Sequence, residues 1–208
     1  MKPLFLLPVL TVVTVTACET LELTPGPDEQ VAVDAGVQVD GGAPPKPKFA
    51  TTAVDGGNLT IVQALSDQVF VAFDFDTGEE APFVDAKWDI AFRRQRVRLR
   101  GGVNGDGGVA AIPLVDAGFA DVTRAPDAGY LYDQPDGDDA NTEPDTVFEN
   151  AETWYRYDPT IHALFGRPIV YVVRSDEQQY FKVALESFYD KAGTPAVIQM
   201  RWAKLPAP

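Results

Sequence analysis

The residues that carry most redox and metal chemistry are nearly absent from this sequence. It has one cysteine, one histidine and two methionines in 208 residues. A lone Cys18 excludes an intramolecular disulfide. One cysteine with one histidine does not make a structural zinc site. No GxSxG elbow marks a serine nucleophile. Basic charge is also short, with 17 Lys and Arg against 31 Asp and Glu and a net charge of −14. That balance excludes general affinity for the phosphate backbone, so no nucleic-acid partner is expected. Carboxylates are plentiful, but no spacing singles out a hydrolytic pair. A binding protein, not an enzyme, is the class that remains.

The start of the chain accounts for the cysteine. MKPLFLLPVLTVVTVTAC places Lys2 before an apolar run from Pro3 to Val15, then Val15-Thr16-Ala17-Cys18. The run is too short, and too rich in threonine and proline, for a transmembrane helix. It reads as a signal peptide over residues 1–17 that ends in a lipobox, with Cys18 as the lipidated residue. Several acyl chains hold a protein stably on a membrane where one does not. Glu19 follows, not the aspartate that keeps many lipoproteins in the inner membrane, so the expected location is the outer membrane or cell surface.

Residues 18–49 form the expected linker. They are rich in Pro, Gly, Asp, Ala and Val, have no aromatic residue before Phe49, and carry the degenerate repeats VDAG and VDGG. Such composition buries too little apolar surface to offset the entropy of ordering, so a disordered spacer is predicted.

From residue 50 to 208 the pattern is one of period two. Val69, Val71, Phe73 and Phe75 alternate in QVFVAFDFD, and Ile169, Tyr171 and Val173 in PIVYVVR. Phe181, Val183, Leu185 and Tyr189 alternate around Ser187, and Ile198, Met200 and Trp202 share a face of VIQMRWA. Turn signals at Asp76-Thr77-Gly78, Asp158-Pro159, Gly166 and Asp190–Gly193 separate these runs. Only LTIVQALSD could begin a helix. The expected fold is all-β, with short antiparallel strands in one compact domain.

The stretch KWDIAFRRQRVRLRGGVNGDGG breaks its own pattern. Trp88, Ile90 and Phe92 alternate as a buried face, and an unbroken strand would then put Arg94, Arg96, Arg98 and Arg100 on that face. Burying several arginines without partners costs several kcal/mol each. A bulge or sharp bend near Arg93-Arg94 restores Val97 and Leu99 to the apolar side and turns the arginines outward. The glycines that follow lack the lysine of a phosphate loop and read as a tight crossing with positive φ. Between Ala125 and Asp145 lies an insertion dense in aspartate. Its spacing from Asp133 to Asp145 does not fit an EF-hand, so a solvated acidic loop is expected ahead of a calcium-stabilised adhesin.

DFDTGEE, WDIAFRRQRVRLRGG, WYRYDPTIHAL and VYVVRSDEQQYFKVALESFYD, in this order, resemble the HmuY-like family of bacterial surface lipoproteins. The resemblance spans Leu59 to Trp202 and is most specific at Trp88–Arg93, Gly101-Gly102 and Tyr180-Phe181-Lys182. The chain departs from the family pattern at Arg100, where Asn is favoured. What the resemblance implies is haem capture through two axial side chains, His or Met, for delivery to an outer-membrane haem receptor. No local motif carries those ligands over. The soft ligands after signal removal are His162 and Met200. His162 follows the Asp158-Pro159 turn, near solvent. Met200 alternates in phase with core residues and reads mainly as core. Tyr130, Tyr132, Tyr155 and Tyr157 are alternative ligands to ferric iron. The arginines from Arg93 to Arg100 are candidate partners for haem propionates. The rival expectation is a lipoprotein of the same fold that does not bind haem and serves as an interaction module.

Overall fold

The computed structural model describes residues 47–84, 87–137 and 142–208. The signal peptide, Cys18 and nearly all of the expected linker lie outside them. The regular structure of the described residues is almost entirely antiparallel sheet, as the alternation predicts.

The larger sheet has six strands. β1 (Phe49–Val54) and β2 (Gly57–Gln63) form a hairpin that pairs with β12 (Pro195–Leu205), followed by β11 (Tyr180–Tyr189), β10 (Ile169–Arg174) and β7 (Ala110–Val115). The smaller sheet runs β4 (Glu79–Ala81), β3 (Val71–Asp74), β5 (Ile90–Arg93) and β6 (Arg96–Leu99). A separate hairpin pairs β8 (Tyr155–Asp158) with β9 (Ala163–Gly166). LTIVQALSD supplies β2, not a helix.

The main core contains inward residues of both sheets. Phe73, Phe75, Ile90, Phe92, Val97 and Leu99 come from the smaller sheet and its margin. Val62, Val183, Leu185, Ile198, Met200 and Trp202 come from the larger. Aromatic contacts cross between them, with Phe73 5.6 Å from Trp202 and Phe75 5.3 Å from Phe181. Met200 is fully enclosed, as its phase with Ile198 and Trp202 suggests. A shift in register between Leu185 and Tyr189 lets Phe188 join this core.

Trp88, Ile90, Phe92, Val97 and Leu99 are all buried, as expected. In place of the expected bulge or sharp bend near Arg93-Arg94 stands a full hairpin turn. The chain reverses completely at Arg94-Gln95, and β5 pairs back on β6 with Ile90 opposite Leu99 and Phe92 opposite Val97. Arg94 has φ 53°, the left-handed conformation a tight reversal needs. Trp88 does not share the face of Ile90 and Phe92. It packs in a separate cluster with Phe70, Ala72, Ala81, Ala91 and Phe83. Val69 is likewise not in phase with Val71 and is 58% exposed.

Two buried carboxylates pin the crossings. Asp89 is fully enclosed and accepts backbone N–H groups from Phe75 at 2.8 Å and Asp176 at 3.0 Å, which ties a loop of each sheet to one side chain. Asp133, expected in a solvated loop, is also fully enclosed. It accepts from Leu99 N, Val147 N and Asn104 Nδ2 at 2.8, 2.9 and 2.7 Å. Gly101 and Gly102 are required here. A Cβ on Gly101 would lie 1.9 Å from the Val109 carbonyl, and Gly102 has φ +61° against the Asp133 carbonyl. The glycine pair is the tight crossing that the sequence suggests.

Candidate functional site

The β8–β9 hairpin carries the site. Its strands end at Asp158 and Ala163, which face each other in register. Asp158 Oδ1 accepts the Thr160 amide at 2.9 Å and rounds the tip. His162 closes the loop with φ 53°. Nδ1 of its exposed ring lies 2.5 Å from the hydroxyl of Tyr157 on β8. Nε2 has no hydrogen bond among the described residues.

Beneath this tip opens a cleft of about 940 Å³, lined by Tyr155, Tyr157, His162, Leu164, Phe188 and Tyr189, with Arg94 and Gln95 on one side. The volume is within the range of small-molecule sites. Its floor is anchored. Trp154 Nε1 donates to the Gln95 carbonyl at 2.9 Å, and the Tyr189 hydroxyl accepts the Leu164 amide at 3.1 Å. Burial raises the pKa of the Tyr155 hydroxyl, with Glu149 adding to the effect and Arg96 opposing it. Tyr155 is therefore a poor phenolate donor at neutral pH. The donor set of the cleft is one imidazole within an aromatic wall. That chemistry suits a flat, apolar metal macrocycle with an open axial position.

The structure thus sorts the sequence candidates. His162, Tyr155 and Tyr157 converge on one cleft. Tyr130 and Tyr132 lie elsewhere, where Arg174 packs against both rings and donates to the Tyr132 hydroxyl at 2.7 Å. Met200 sits in the main core. Of the five arginines, Arg94 lines the cleft. Arg93 and Arg98 flank the Phe70 ring and each reaches Glu143 at 2.5 Å. Arg96 faces Glu149 at 3.6 Å, and Arg100 is buried beside Asp106. Arg93 and Arg98 therefore hold the acidic insertion, and Arg96 and Arg100 pair with carboxylates outside it.

Among the described residues of that insertion, no cluster of metal-ligating carboxylates occurs. Asp133 spends its oxygens on amide donors. Among the described residues, the acids whose oxygens converge are Asp74, Asp76 and Asp89, outside the insertion. No helix among the described residues is long and apolar enough to cross a membrane.

Comparison with known proteins agrees with this architecture. A family model described as HmuY protein matches residues 66–202. The fold is similar to that of the apo HmuY analogue of Tannerella forsythia, with a TM-score of 0.57 at 15% identity over 77% of this chain and 99% of the other. A protein of Bacteroides vulgatus, named as HmuY-like and haem-binding, gives 0.57 at 15% identity over 76% and 97%. A protein of Bacteroides fragilis named as a lipoprotein gives 0.54 at 13% identity over 74% and 95%. No curated protein matches the chain.

Proposed function

Because the chain belongs to the HmuY family, we propose that it is a haem-binding surface lipoprotein that takes up haem for iron acquisition, with His162 as the iron ligand. The observation that supports this reading is the position of the one histidine. It lines a cleft that the tyrosines of β8 also line, with Nδ1 held by Tyr157 and Nε2 without a hydrogen bond among the described residues. In the ligating tautomer Nδ1–H donates to the Tyr157 oxygen and Nε2 offers its lone pair. Haem iron supplies the redox-active, Lewis-acidic centre when bound. The chain would hold the group through the His162 imidazole, with Tyr155, Phe188 and Tyr189 giving apolar surface. Arg94, which lines the same cleft, would pair with a propionate carboxylate.

The reading extends to the cell. Cys18 would carry the lipid anchor, residues 19–49 would space the domain from the outer membrane, and an outer-membrane receptor would take the haem. The function is binding, without catalysis. One observation favours the second reading, a lipoprotein of this fold that does not bind haem. The other candidate ligand, the Met200 thioether, is enclosed in the core, so one chain offers a single strong ligand. Titration of the protein with ferric haem, followed by absorbance, separates the two. A Soret band that shifts and saturates near one haem per chain supports haem binding, and a linear response without saturation supports the interaction module.

A further inference from the structure

We infer that the free edge of β1 is an interface through which two copies of this chain pair into one continuous sheet. The edges of the larger sheet are treated differently. At one end, β7 carries Pro113 and is bridged by the 131 loop, where Ala111 and Leu131 exchange backbone hydrogen bonds at 3.0 and 2.8 Å. Proline and a covering segment are common protections of a sheet edge. At the other end, β1 reads FATTAV, with no charge and no proline, and five of its six residues are exposed. Its pairing with β2 is regular through all six positions, from Phe49 opposite Val62 to Val54 opposite Gly57. Among the described residues, no strand lies on its other side.

The hydrogen-bond phase of that edge is fixed. Gln63 donates to the Lys48 carbonyl at 2.8 Å, so Lys48 and Gln63 form a hydrogen-bonded pair. By alternation Ala50, Thr52 and Val54 also bond toward β2, and Phe49, Thr51 and Ala53 direct their amides and carbonyls outward.

A second copy fits this phase best. A two-fold axis through Thr51 makes Thr51 face its own equivalent as a hydrogen-bonded pair. Phe49 then faces Ala53, large against small, and no like charges oppose each other. The same register sets Lys48 of each copy opposite the uncharged Val54 of the other. Elsewhere the net charge of −14 keeps copies apart. The strand is short, so the dimer should be weak and concentration-dependent.

The test uses the full chain with Cys18→Ser, in mild detergent, by sedimentation equilibrium. The expected mass rises from one chain toward two between micromolar and millimolar protein, and more steeply at high salt, which screens the acidic repulsion. Thr51→Pro removes an amide that β2 does not use, and should lower dimer affinity at least 10-fold. Thr51→Cys should cross-link under mild oxidation, because the facing Cα atoms would be about 5.5 Å apart. Thr52→Cys, offset by two residues from its equivalent, should not. A mass of one chain at every concentration would overturn the proposal, as would a dimer that Thr51→Pro leaves intact. If Thr51→Pro fails to fold, the cross-link decides: preference for position 52, or no cross-link at either site, would count against this register.

Discussion

The hydroxyl of Tyr157 lies 2.5 Å from Nδ1 of His162, across the tip of a four-residue hairpin loop. The contact holds the imidazole at an exposed position, beside Ile161, which is 62% exposed. A partner on the second nitrogen orients a ligating ring and raises its basicity. Tyr157→Phe should therefore weaken ferric haem binding by about 10-fold and raise the reduction potential of the complex, with folding unchanged. Equal affinity and potential in the variant would show that the contact has no bearing on the ligand.

Asp133 makes a sharper stability prediction. Its carboxylate satisfies two amides and one side-chain amide from three separate segments. Asp133→Ala strands these donors in the interior and should cost about 3–5 kcal/mol, since each unsatisfied buried group costs about 1–3 kcal/mol. Glu143→Gln, on the half-exposed ion pairs with Arg93 and Arg98, should cost about 1 kcal/mol or less. Chemical denaturation of both variants checks the order. A larger loss from Glu143→Gln would reverse the roles assigned to them.

Trp88 fills the small cluster on the outer side of β3 and β5, against Phe83 at 5.1 Å between centroids. Trp88→Ala should cost about 3–5 kcal/mol through lost burial and a cavity. A loss under 1 kcal/mol, measured by the same denaturation, would mean that this cluster does not hold the smaller sheet.

Burial raises the pKa of Asp89 to about 7, of Asp133 to about 6 and of Glu149 to about 7. In the unfolded chain such groups titrate near 4. Between about pH 4 and 7 the folded protein therefore holds more protons, and its stability falls as pH rises through that window. Thermal unfolding should occur several degrees higher at pH 5 than at pH 7.5, because each kcal/mol moves the midpoint by about 2–4 °C at this size. A higher midpoint at pH 7.5 would contradict the assignment.

The strands of the larger sheet were legible because one face of each is buried and the other is not. Ile198, Met200 and Trp202 alternate in sequence and lie together in the core. The reversal at Arg94-Gln95 was hidden, since neither residue is a turn former and both neighbours are arginines. The burial of Val97 and Leu99 could be argued from the cost of burying arginine, but the hairpin that achieves it could not. Asp133 resembled its acidic neighbours. Its role depends on amides 34 positions before it and 14 after it, which no local pattern records. His162 could be singled out by scarcity alone. Its meeting with Phe188 and Tyr189 depends on how the β8–β9 hairpin packs on the end of β11, a long-range fact.

The most direct measurement is a comparison of ferric haem titrations for wild type and His162→Ala, read in the Soret region. The account predicts a saturable shift in wild type that the substitution abolishes or moves to the spectrum of weakly held haem. An unchanged Soret band in the variant would remove His162 as the ligand, and no saturable shift in wild type would contradict haem binding altogether.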